Sequence, residues 1–118
     1  MINTCSDHSL CSFNEIPEGT ARGFTINSIA ARDIFIVRHQ GQVHAYRNSC
    51  PHTGAPLDWL PNQFLNTEGT LIMCATHAAL FRINDGLCIA GPCVGARLEA
   101  LPVKVKSGEV VITDTFIS

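Results

Sequence analysis

The apolar residues of this chain come in short runs, and turn-forming residues cut every one of them. Thr20–Ile26 (TARGFTI) follows the turn-like Pro17-Glu18-Gly19. DIFIVRHQGQVHAYRN reads as two strands around Gln40-Gly41, the first carrying the apolar run Ile34–Val37. TLIMC is a further strand. LFRINDGLCIAG reads as a hairpin with Asn84-Asp85-Gly86 at its bend. In LPVKVKSGEVVIT the alternation sets Val103 and Val105 toward a core, Lys104 and Lys106 toward water, and Ser107-Gly108 at the turn. No segment carries a helical stripe. Short strands separated by turns predict an all-β fold, a sandwich or barrel-like base of stacked antiparallel sheets.

A chain of 118 residues, 46% hydrophobic and 15% charged, suits one globular domain spanning residues 1–118. A formal charge of −2 gives no basic stripe for phosphates, so nucleic acid is not an expected partner. No apolar run approaches the roughly 18 residues of a membrane span. The opening MINTCSDHSLC lacks the basic-then-apolar order of a signal peptide, so a cytoplasmic address is expected. Six cysteines in a reducing compartment point to metal or redox chemistry before disulfides.

Spacing separates the candidates. Cys50-x-His52 and Cys74-x-x-His77 each place one thiolate and one imidazole in a segment between strands. Loops on a rigid β scaffold are where sites are built. Zinc takes two cysteines and two histidines, but with longer spacings within a pair. A [2Fe–2S] cluster also accepts two of each, both histidines on one iron. One Cys/His pair per loop lets each loop reach both irons, which favours iron–sulfur over zinc.

These segments resemble the Rieske-type [2Fe–2S] proteins, in particular the small soluble Rieske ferredoxins. CPHTGAPL matches the first cluster loop almost residue for residue, and IPEGTARGFTI, GQVHAYRNSCPH, FRINDGLCIAGP and LEALPVKVKSGEVVI match its surroundings. The resemblance implies that Cys50 and Cys74 hold one iron and His52 and His77 the other. It implies that Gly91-Pro92 forms a third loop shielding the cluster. It also implies a monomeric one-electron carrier between a reductase donor and an oxygenase or other redox acceptor. Within these 118 residues no room is expected for an oxygenase's own catalytic iron domain. A permanent subunit of a larger oxidoreductase and a structural zinc-binding interaction module are the alternative readings.

The chain departs from the family pattern in four places. Ala78 stands where many relatives have glycine, and a positive φ there would cost alanine about 1 kcal/mol. The segment DWLPNQFLNTEG lengthens the gap between the two motifs and reads as a longer hairpin or surface loop. Ala55 and Thr76 replace the disulfide that joins the loops in respiratory relatives. Ala79 and Phe81 replace a serine and a tyrosine whose hydroxyls point toward the cluster there, so the expected potential is near the low end of the Rieske range.

The remaining candidates are bland. Cys88 and Cys93 are expected as small buried residues beside the site rather than as a redox pair. Cys5 and Cys11 are expected to precede the core as thiols. His8, His39 and His44 are expected at surface or strand positions. Leu57, Trp59, Leu60 and Pro92 form the expected contact ring around the histidines.

Overall fold

The computed structural model describes residues 6–26, 32–51, 56–58, 62–74 and 78–114. Among the described residues ten strands run in chain order: β1 (Ser6–Ser12), β2 (Ala21–Ile26), β3 (Arg32–His39), β4 (Gln42–Arg47), β5 (Leu71–Met73), β6 (Leu80–Arg82), β7 (Cys88–Ala90), β8 (Ala100–Leu101), β9 (Val103–Lys106) and β10 (Glu109–Asp114). The described helical structure is a single 3-10 turn, Phe13–Glu15. The strands form three antiparallel sheets, ordered β1-β10-β9, β2-β3-β4-β8 and β5-β6-β7. The all-β expectation holds.

The apolar run of β3 explains how the sheets stack. Side chains alternate across a strand, so four consecutive apolar residues serve two faces. Ile34 and Ile36 enter one core with Ile16, Ala45, Val110 and Ile112. Phe35 and Val37 enter the other, with Tyr46, Phe64, Ile72 and Phe81. The β2-β3-β4-β8 sheet is therefore apolar on both faces, between β1-β10-β9 on one side and β5-β6-β7 on the other. All four residues are at most 1% exposed. The β3–β4 hairpin turns on Gln40 and Gly41, with φ of 52° and 78°. That is the two-residue geometry whose twist matches the flanking strands. The Glu18 carboxylate accepts from both turn amides, at 2.5 and 2.9 Å.

Two expectations need correction. Val105 is 44% exposed although it alternates in phase with Val103. β9 is an edge strand, so Val105 stays partly open to solvent while its central partner Val110 is buried in the core. Cys11 does not precede the fold: it lies in β1, opposite Val110, and packs partly against the core that holds Ile34 and Ile36. The opening segment reads as polar because alternate residues of an edge strand face water. Burial raises the Cys11 thiol above its usual range.

The later part of the lengthened inter-motif segment, from Phe64, forms a hairpin with β5. Leu65 bridges Ile72, and Asn66 closes its end by accepting from the Thr70 and Leu71 amides at 2.9 and 3.0 Å. Phe64 stacks on Phe35 with ring centroids 4.4 Å apart and planes 8° from parallel. The insertion thus contributes a ring to the core that carries the site.

Candidate metal centre

Cys50 follows β4 and Cys74 follows β5, so two strands from different sheets deliver the two thiols. Cys50 is 2% exposed and Cys74 is fully buried, within one core cluster. Each of their loops is tied at its base. In the first, the Asn48 side-chain oxygen accepts from the Leu57 amide at 2.7 Å, and its nitrogen donates to Asp58 at 3.0 Å. In the second, the Cys74 amide donates to the Ala79 carbonyl at 2.9 Å, joining the two sides of the segment that carries the motif. Sequence reasoning passed over Asn48. The signal was an asparagine two residues before Cys50, a type that ties loops through its side chain.

A third loop lies against Ala79. After β7 the chain turns through Gly91 and Pro92 to Cys93, then returns on three backbone bonds: Gly95 to Cys88, Ala96 to Cys93, and Cys88 to Ala96. Gly91 lies directly against Ala79 of the second loop. Cys93 is 8% exposed and Cys88 is 1% exposed. The Cys93 thiol is pushed up to about 12, first by burial, then by its hydrogen bond with Cys88 and the neighbouring Cys88, Cys50 and Cys74. Four sulfurs therefore share this end of the core.

Cys50 and Cys74 fit a [2Fe–2S] group by donor chemistry. Soft thiols from separate loops converge in an apolar, water-poor environment, where an ionised thiolate needs a cation to offset its lost hydration. His52, His77, Ala55, Thr76, Trp59 and Leu60 lie outside the described residues. Leu57 does not belong to an exposed ring: it is fully buried in the core beneath the first loop. Its amide, tied to Asn48, turns it inward. Pro92 is exposed, and beside it Val94 is 63% exposed and Ile89 45%.

The network around the Asn84-Asp85-Gly86 turn supports β6 from behind. Asp85 pairs with Arg82, and Arg97 stands 3.9 Å away. Their charges and the Leu87 amide bond hold the Asp85 carboxyl down to about 2, the Arg82 bond contributing most. Buried Tyr46 donates to the Ile83 carbonyl at 2.6 Å, joining the β4 side of the site to the turn.

The Rieske [2Fe–2S] domain matches residues 6–110. The alkene monooxygenase system ferredoxin component of Xanthobacter autotrophicus is 30% identical over 105 residues, covering 87% of this chain and 77% of that protein. Apoptosis-inducing factor 3 of Mus musculus is 26% identical over 112 residues, which span 92% of this chain but 16% of that protein. Among solved structures, the ferredoxin of carbazole 1,9a-dioxygenase from Nocardioides aromaticivorans IC177 superposes with a TM-score of 0.73 at 24% identity, over 91% of this chain and 96% of its own. A chain in the complex of reduced oxygenase and oxidized ferredoxin in carbazole 1,9a-dioxygenase gives a TM-score of 0.72 at 25% identity, covering 95% and 97%. No described helix is long and apolar enough to cross a membrane.

Proposed function

We propose that this chain, which belongs to the Rieske [2Fe–2S] family, is the ferredoxin component of an oxygenase system, receiving electrons from a reductase and passing them to the oxygenase. Its cofactor is a [2Fe–2S] cluster. The observation that carries the reading is the pair of loops tied at their bases, each bringing a buried thiol into one core. When bound, the cluster takes up and returns one electron at a time.

The chain's own residues set the conditions for that exchange. Cys50 and Cys74 are assigned to one iron, and His52 and His77 to the other. The motif spacing and the family support this assignment, and the burial of both thiols agrees with it. Asn48 and the Cys74–Ala79 bond hold the loops in place, so little rearrangement accompanies a change of charge. Leu57, Ala79 and Phe81 keep water from the thiol side. The exposed Pro92 and Val94 of the third loop are the apolar contacts offered to a redox partner, in an encounter of modest area. Residues 1–118 are read as a single Rieske unit, supported by a family match over 6–110. A cytoplasmic setting suits a chain whose cysteines serve as ligands.

Low-temperature EPR of the dithionite-reduced protein tests the reading. A rhombic signal with the low average g of histidine-ligated clusters is expected, with rapid reoxidation when the oxygenase component is added. An all-cysteine signal, or a colourless zinc-loaded protein, would overturn it. Cys50→Ser and Cys74→Ser should each abolish the signal.

A further inference from the structure

The two sulfurs that the cluster assignment leaves over are not spaced like bystanders. Cys93 Sγ lies 3.1 Å from Cys88 Sγ, about 1 Å beyond the roughly 2.05 Å of a covalent S–S bond. Cys88 Sγ in turn lies 3.2 Å from the Ala90 carbonyl. Cys93 thus donates to Cys88, Cys88 donates to Ala90, and a Cys88 lone pair faces the Cys93 sulfur. The backbone holds this arrangement: Cys88 and Ala96 are bonded across the loop at 2.9 Å, and Gly95 donates to the Cys88 carbonyl at 3.1 Å. Bringing the sulfurs together therefore costs little chain entropy, because the loop is already closed.

We propose that Cys88 and Cys93 are a disulfide-forming dithiol, a two-electron modification site beside the one-electron centre, with a small disulfide such as oxidised glutathione as the oxidant. Cys93 is the entry point. It is the more exposed of the two, and its neighbours Pro92 and Val94 face solvent. The Cys93 sulfur attacks one sulfur of the oxidant, breaking its S–S bond and releasing one small thiol. The Cys88 sulfur then attacks the mixed disulfide at Cys93, forming the Cys88–Cys93 bond and releasing the second. Two electrons pass to the oxidant, and the two protein thiol protons leave on the two small thiols. The new bond ties the third loop to β7 and leaves Cys50 and Cys74 untouched. A dithiol reductant reverses it. The inference rests on the Cys88–Cys93 geometry and not on the identity of the metal.

The chain supplies a convenient readout, since Arg82 and Arg97 bound a tryptic peptide that holds Cys88 and Cys93 and no other cysteine. Cluster-loaded protein is incubated anaerobically with oxidised glutathione, quenched in acid, denatured with an alkylating agent and digested. The expected result is loss of both alkylation sites from that peptide and a mass lower by two hydrogens than the dithiol form. Visible absorbance should be retained, and dithiothreitol should restore both sites. In Cys88→Ser, Cys93 should be recovered as a glutathione adduct, because no second thiol can expel it. Recovery of both cysteines as alkylated thiols would overturn the proposal, as would crosslinks from either one to Cys11, Cys50 or Cys74. So would an unmodified Cys93 in the Cys88→Ser protein.

Discussion

A methyl group built on Gly91 would lie 2.8 Å from the Cα of Ala79 and 3.0 Å from its Cβ. The third loop thus touches the chain after Cys74 at a point with no space for a side chain. Gly91 also has φ of +100°, a region that L-residues rarely adopt.

Gly91→Ala should therefore be costly for two reasons, the backbone conformation and the overlap with Ala79. Together these amount to about 2–4 kcal/mol. Thermal unfolding of the loaded protein should show the loss. Because the displaced neighbour is the second cluster loop, visible absorbance should also fade faster than in the parent under chelator. A variant with parental stability would mean that the contact relaxes at no cost.

Ala78 offers the opposite change. Its φ is 54°, so the backbone here does adopt the conformation that makes alanine unfavourable. Left-handed backbone costs an L-residue roughly 1–2 kcal/mol, of which glycine's greater chain entropy returns about 0.5–1. Ala78→Gly should stabilise the protein by about 0.5–1 kcal/mol. Denaturant unfolding would register this as a higher midpoint at unchanged slope.

Tyr46 links stability to alkaline pH. Its hydroxyl donates to the Ile83 carbonyl, and its phenol is pushed up to about 12, mainly by burial and then by the Asp85 charge. Tyr46→Phe leaves that carbonyl without its donor, at about 1–3 kcal/mol. The folded pKa is raised above the unfolded value of 10.0, so the advantage of tyrosine is complete below pH 10.0. It disappears as pH rises through about 12. Parallel unfolding of both proteins across that window should show the curves converging.

The strands were legible because turn chemistry marks them locally: Gln40-Gly41, Asn84-Asp85-Gly86 and Ser107-Gly108 all fall at bends between strands. The burial of Cys50 and Cys74 in one core agrees with the reading of a thiol–imidazole pair that recurs in two segments between strands. What stayed hidden depends on which sheet lies opposite which. Whether Leu57 faces out or in is decided by the Asn48 bond, and whether Val105 is covered depends on β9 being an edge. The Phe64 stack on Phe35 needs a contact across 28 intervening positions, and no local pattern encodes it. The Cys88–Cys93 contact had the same character: five residues apart in a tight loop, two cysteines read as packing until the loop's path brought their sulfurs together.

Ala79 and Phe81 put the potential within reach of single substitutions. Both side chains are fully buried beside Cys74, and neither carries a hydroxyl. Hydrogen bonds to sulfur stabilise the added electron, so a cluster held here without those two hydroxyls should titrate near the low end of the range of about −150 to +300 mV. Phe81→Tyr and Ala79→Ser each restore one candidate donor. A neutral hydrogen bond worth about 0.5–1.5 kcal/mol corresponds to roughly 20–60 mV for one electron. Potentiometric titration should therefore find each variant higher by that amount. The control lies in stability. A hydroxyl that reaches sulfur costs little, whereas one buried without a partner costs about 1–3 kcal/mol and leaves the potential where it was. A lowered unfolding midpoint with an unmoved potential would place the new hydroxyl away from the cluster and remove that position from control of the electron.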